Sequence, residues 1–418
     1  MHAYQEANGY QPQRRMPRAL VALFAGASGL SVANVYYAQP LLDALAADFS
    51  ISHAAVGGVI TFTQIGCALA LLLLVPLGDQ MDRRRLVLIQ LVALFTALLG
   101  VGLARSSMAL MVGMLMVGLL GTAMTQGLIA YAATAAAPGE RGRVVGATQS
   151  GVVIGLLSAR VLAGVVADLA SWRGVYFFSA LLMLALGLML LRALPAQAAP
   201  VRRLSYGQLL LSMFTLLCQE RVLQIRGGIA LLMFAAFSVF WSALVLPLSA
   251  SPYSLSHTAI GAFGLVGVVG ALGAARAGHW ADQGFGQKTS ALALMLLLVS
   301  WLPLSLVSHS LWWLIVGIIA LDLGGQAIHV TNQSMLFNTQ VQAHSRLVGC
   351  YMLFYSVGSG LGAIASTAVY AASGWQGVCL LGAGISGLAL AFWALTLRYM
   401  PHNAPDCGRQ AQSCRATG

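Results

Sequence analysis

The stretch Ser52-His53-Ala54-Ala55-Val56-Gly57 returns later as Ser256-His257-Thr258-Ala259-Ile260-Gly261. Three further pairs keep the same spacing. Gly78 and Asp82 return as Gly278 and Asp282, and Arg143-Val144-Val145-Gly146 returns as Arg346-Leu347-Val348-Gly349. Trp172-Arg173-Gly174-Val175 returns as Trp375-Gln376-Gly377-Val378. All four offsets lie between 200 and 204 residues, so the chain reads as two like halves in tandem.

Composition says what each half is made of. Of the 418 residues 59% are apolar and 8% are charged, whereas a soluble domain is roughly one-quarter charged. Mean hydropathy is +0.83. A soluble globular chain and a disordered one are both excluded, and lipid is the implied solvent. Apolar runs fall at 19–37, 54–77, 86–104, 108–135, 144–167 and 174–191. Six more fall at 227–248, 259–275, 289–307, 311–336, 347–372 and 377–397. These lengths suit helices, since a barrel needs short alternating strands. Pro76, Pro138, Pro195, Pro247 and Pro401 sit at or just past run ends, where proline is least costly. The expected fold is an all-α membrane protein of twelve transmembrane helices, in two pseudo-symmetric six-helix bundles around a central cavity. Its parts are a segment 1–18, a bundle 19–194, a linker 195–226, a bundle 227–398 and a tail 399–418. The basic start also suits a cleaved or twin-arginine signal, but the spans that follow favour an uncleaved first span.

Charge orients the whole. Net charge is +11, and every basic residue except Lys288 is Arg. Nineteen basic residues fall on one side, Arg105 and Arg173 on the other, and Arg160 within a span. The positive-inside rule then places both termini and the linker in the cytoplasm, with the plasma membrane as the expected location. Scattered arginines argue against a nucleic-acid partner. The six cysteines form no C-x-x-C pair, so neither a zinc site nor a disulfide framework is suggested.

The loop Gly78-Asp79-Gln80-Met81-Asp82-Arg83-Arg84-Arg85 resembles the G-x-x-x-D-R-x-G-R-R signature of major facilitator superfamily transporters, with Arg85 and Leu86 departing from it. The resemblance spans roughly residues 18–399 and is narrower to the twelve-span drug/proton antiporters. It implies a gating role for Gly78, Asp82, Arg83, Gly278 and Asp282. An Asp at a helix end can hold a guanidinium or a helix N-terminus in one state and release it in another; the arginines also anchor the loop. Span five is similar to the antiporter glycine motif at Gly146, Gly155, Ala159, Arg160, Ala163 and Gly164, with Arg160 in place of the motif's proline. The small residues imply close helix packing. The relay arginine of the family's fourth span has no counterpart in residues 108–135, so proton coupling must use other residues. The resemblance favours export of a small molecule by a monomer, with protons as the coupling ion and no cofactor or metal.

Charges deep in spans are expensive and face a cavity or a partner. Two stand out: Arg160 and Asp322. Asp322, Gln326, His329 and Gln333 fall at i, i+4, i+7 and i+11, within about 40° of one another on a helix; Asn332 flanks them. Such a stripe is either a buried packing network or a substrate and proton site. Asp322 and Arg160 lie about 16 Å and about 12 Å from the outer face at 1.5 Å per residue. A pairing of the two across the halves would make a protonation switch, with His329 as a relay; each holding its own neighbours is the alternative. Asn34, Gln64 and Gln126 are weaker cavity candidates, with Thr61, Thr125 and Trp241 beside them. The methionines of span four suit an adaptable surface or ordinary packing.

An enzyme and a signalling receptor are disfavoured. No Walker loop, H-E-x-x-H or G-x-S-x-G occurs, and the residues outside the spans are too few for a catalytic or signalling domain. Proton-coupled export is the expected function, with a symporter or uptake carrier for a polar metabolite as the alternative.

Overall fold

The computed structural model describes residues 16–137, 140–194, 205–337 and 344–400. Every regular element among them is helical. The first half comprises α1 (Arg18–Tyr36), the short α2 (Leu42–Phe49), α3 (Gly58–Leu69), α4 (Arg83–Gly102), α5 (Ser107–Ala135), α6 (Arg141–Leu169) and α7 (Trp172–Ala193). The connecting α8 (Tyr206–Gln219) follows. The second half has α9 (Arg221–Ala243), α10 (Val245–Ser249), α11 (His257–Trp280), α12 (Gly286–Val299), α13 (Trp301–Ser305), α14 (Leu311–Phe337) and α15 (His344–Thr396). Gly374, at φ 63°, breaks the helical path of α15 and divides it into two spans. α1, α3 to α7, α9, α11, α12, α14 and the two limbs of α15 make the twelve.

Local chemistry starts these helices where the sequence breaks its apolar runs. Ser106, Ser171 and Ser256 each turn a hydroxyl back onto a backbone N–H of α5, α7 and α11. Ser205 and Gln208 close a capping box on α8. The outward face is apolar: Ile154 is 66% exposed and Leu380 74%, as a lipid-facing belt requires.

Small residues bring backbones together. A Cβ added at Gly155 would strike the backbone of Gly29 on α1, and one at Gly151 the carbonyl of Ala25. Gly164 meets His257 of α11 in the same way, while Gly146 looks onto open space. The halves meet along two seams at one face of the molecule, α6 with α11 and α3 with the first limb of α15. At the other face lies a cavity of about 360 Å³. It is lined by Gly78, Arg83, Gln126 and Arg141 of the first half and by Arg346 of the second.

Candidate functional site

Arg160 and Asp322 come together at the α6–α11 seam. Gly261, Gly264, Gly267 and Gly270 recur every three residues along α11, and this bare face permits the approach. A Cβ at Gly264 would lie 3.2 Å from Arg160 Cδ. One at Gly267 would strike Asp322 Oδ2, and one at Gly270 would lie 2.8 Å from Asp322 Cβ. The two side chains therefore pack against neighbouring turns of α11. Both are buried, at 3% and 4% exposure.

They do not form a direct ion pair. Arg160 Nε donates to Gln39 Oε1 at 2.9 Å, and its guanidinium carbon lies 3.9 Å from the Trp241 ring centroid. Stacking on an indole face leaves the charge bound without a carboxylate. Asp322 Oδ1 and Trp241 Nε1 are both buried without a hydrogen bond, and the indole N–H is a neighbour of the Asp322 carboxylate. A second contact between the halves stands close by: the hydroxyls of Tyr36 and Tyr355 hydrogen bond, and the Tyr36 ring is 5.7 Å from the Arg160 guanidinium.

The α14 stripe divides as it descends. His329 Nδ1 is 3.0 Å from the Tyr351 hydroxyl, and Gln333 Nε2 is 3.4 Å from His329 Nε2. The His329 ring packs edge-on against Phe234, which packs against Tyr355. A chain of aromatic contacts thus joins His329 to the Tyr36–Tyr355 contact between the halves. Gln326 is half-buried on the same face.

Asn332 turns away, into its own bundle. Its Oδ1 accepts from Arg226 Nη1 at 3.3 Å, beside Ser290 Oγ at 2.8 Å, while Gln287 Oε1 takes Arg226 Nη2 at 2.9 Å. Arg226 is fully buried, so it is a structural core residue rather than one more surface anchor. Asn34 likewise serves its own bundle, accepting from Ser179 Oγ at 2.6 Å and donating to Leu30 O. Gln64 is buried with Oε1 unpartnered, against Gly360 of the opposite half.

In the Gly78–Arg85 loop, Asp82 Oδ1 accepts from the backbone of Arg84 at 2.8 Å and of Arg85 at 3.2 Å, capping α4. Arg83 donates to the carbonyls of Gly78 and Ala130. At Gly278 an added Cβ would come 2.9 Å from Val330; the side chain of Asp282 lies outside the described residues.

One constellation carries no sequence signal beyond the repeat that contains it. At the seam face His257 Nε2 lies 3.1 Å from Asp43 Oδ1, and Nδ1 lies 3.2 Å from Asp168 Oδ1. Gln39, Trp241 and Tyr355 gain their importance in the same way, from contacts between elements far apart in the chain.

Comparison with known proteins agrees with this architecture. The chain is 40% identical over 383 residues to the putative uncharacterized transporter YgaY of Escherichia coli strain K12, covering 92% of this chain and 97% of that protein. It is 29% identical over 391 residues to the probable transporter SCO4007 of Streptomyces coelicolor, covering 90% and 87%. Its fold matches a bacterial homologue of the human lysosomal transporter Spinster in an inward-facing, occupied conformation. That match has a TM-score of 0.74 at 15% identity and covers 93% of this chain and 98% of that one. The human organic anion transporter MFSD10 matches with a TM-score of 0.63 at 18% identity, covering 91% and 99%. The Major Facilitator Superfamily pattern matches residues 24–282 and again 227–413. Spans, repeat and seams therefore have one explanation: this chain belongs to the Major Facilitator Superfamily of membrane transporters.

Proposed function

We propose that this transporter exports a small molecule by alternating access, driven by protons. Residues 19–194 and 227–398 are the two moving bundles, working as a monomer in the plasma membrane with both termini and the 195–226 linker in the cytoplasm. The seams then close the outer face, and the cavity beside the Gly78–Arg85 loop opens inward.

One observation carries the coupling: the Asp322 carboxylate is buried at a seam between the halves with Oδ1 unpartnered, packed on the turn of α11 next to that of Arg160. Arg160 belongs to the first half and Asp322 to the second, so rocking of the bundles changes the distance between them. A protonated Asp322 crosses that change as a neutral group. A deprotonated one draws Arg160 away from Gln39 and Trp241. Protonation thereby selects between two arrangements of one seam.

A second reading, uptake of a polar metabolite, draws on the unpartnered Oε1 of buried Gln64 beside the opposite half. A ligand screen by thermal shift, followed by proteoliposome flux of the best ligand with and without a pH step, separates the two. Export by antiport predicts uphill movement opposite to the proton flow. Movement with the protons establishes the uptake reading, and flux indifferent to the pH step removes proton coupling.

A further inference from the structure

The seam face holds a group of ionisable side chains separate from Asp322. His257 opens α11 in the second half; Asp168 ends α6 and Asp43 lies on α2, both in the first. Asp168 caps the other half's helix: its Oδ1 accepts from His257 N at 3.1 Å and its Oδ2 from Thr258 N at 2.8 Å. The His257 ring then lies between two carboxylates, with one oxygen within 3.2 Å of each nitrogen. All three side chains are partly exposed, at 24%, 20% and 27%, so a solvent proton reaches them without entering the membrane.

We infer that His257, Asp43 and Asp168 form a proton-binding latch that holds the outer face shut while His257 is protonated. A neutral imidazole has one N–H, so one of its nitrogens would present a lone pair to a carboxylate oxygen. Only the imidazolium donates to both. Opening the seam takes α11 away from α6 and α2 together and leaves the ring to water. The closed face therefore binds the proton more tightly than the open one, and by linkage the proton favours closure. The latch acts in full at low pH and is lost as pH rises past the point where the closed-state ring gives up its proton.

Neighbouring charges do not replace this partner. Asp48 pairs with Arg173 at 2.8 Å, and Arg173 also donates to the carbonyls of Gly102 and Ala104. The short α10, packed on both α2 and α11, has no ionisable residue. Arg160 lies two helical turns deeper on α6, and Asp322 lies deeper still on α14. The inference takes from the proposed function only which face is outside.

The test is a pulsed electron-resonance distance measurement on the full chain in lipid nanodiscs. Spin labels at Ala47→Cys on α2 and Ala250→Cys after α10, in a background with the native cysteines replaced, span the latch. Between pH 8 and pH 5 the closed population should rise at least tenfold relative to the open one. In an Asp322→Asn background, where the coupling carboxylate no longer titrates, His257→Gln should remove that response, and His257→Arg, a permanent cation, should stay closed at both pH values. The same shift must persist in Asp322→Asn, which distinguishes the latch from the coupling site. If His257→Gln responds to pH like the unmodified latch, or if only Asp322→Asn abolishes the response, the latch is overturned. Should His257→Gln fail to fold, His257→Arg decides: opening at pH 8 refutes the inference.

Discussion

The two seams that join the halves are built on one plan and filled with different chemistry. In one, Gly261 of α11 lies against the carbonyl of Arg160; in the other, Gly57 lies against the carbonyl of Ala363. The pairs are related by 204 and 203 residues, the offset of the repeat. Both seams thus use a glycine to bring backbone onto backbone. Around the first stand Arg160, Asp322, His257, Asp43 and Asp168. Across the second, the hydrogen bonds run between neutral groups: Thr367 Oγ1 accepts from Gly57 N at 3.2 Å and donates to Ala54 O at 3.2 Å, and Thr61 Oγ1 donates to Gly360 O at 2.7 Å. Duplication explains the shared contact, and divergence has put the buried Arg160 and Asp322 at one seam and not the other. Response to pH should reside in the α6–α11 seam, while the α3–α15 seam acts as a hinge whose opening is insensitive to it.

The largest effect expected is at Arg160. Arg160→Ala removes the bond to Gln39 and the stack on Trp241 and leaves Asp322 without a nearby cation, so flux in proteoliposomes should fall by more than tenfold. Arg160→Lys should not rescue it, because lysine lacks both the planar face and the Nε donor. Lysine at wild-type rate would make the site a simple point charge.

Next come the glycines. Gly261→Val and Gly57→Val each place carbon against a backbone carbonyl of the other half and should hold their own seam apart. Labels across α6 and α11, or across α3 and α15, would read the gap. Valine accepted at either position with no change in distance would show that the close approach is not needed for closure.

Thr367→Val tests the neutral seam more gently. It loses bonds worth roughly 0.5–1.5 kcal/mol each, so the α3–α15 seam should open several-fold more often, by the same factor at pH 5 and pH 8. A pH-dependent change would erase the contrast between the seams. The smallest expected change is at Asp82. Asp82→Asn can still cap α4, so the protein should keep its melting temperature while flux falls through loss of charge in the loop. Unchanged flux would reduce the loop to a topological anchor.

Much of this was legible in the sequence. Run lengths gave the spans, the repeat gave the two halves, and rarity of charge within lipid singled out Arg160 and Asp322. Two things were not legible. Helical period says which residues share a face, but a span in a bundle has two faces that tolerate polarity, one toward its own bundle and one toward the other half. Asn332 and Asn34 took the first, and helical period could not tell them from Gln64. Contacts made by distant segments leave no spacing to read, so Gln39 and Trp241 as the partners of Arg160, and the two carboxylates around His257, emerged only from the fold. Arg226, one of the nineteen basic residues of one side, falls just ahead of the apolar run 227–248, yet Ser290, Gln287 and Asn332 enclose it.

The central claim is that proton coupling runs through the charged seam, and Asp322→Asn tests it most directly. Wild-type and mutant protein, reconstituted in parallel, would be given an imposed pH step and a ligand from the thermal-shift screen. The account predicts that the mutant still binds that ligand and equilibrates it, yet no longer accumulates it against a gradient. Accumulation equal to wild type would contradict it, and would make Asp322 a packing residue of the α11–α14 contact.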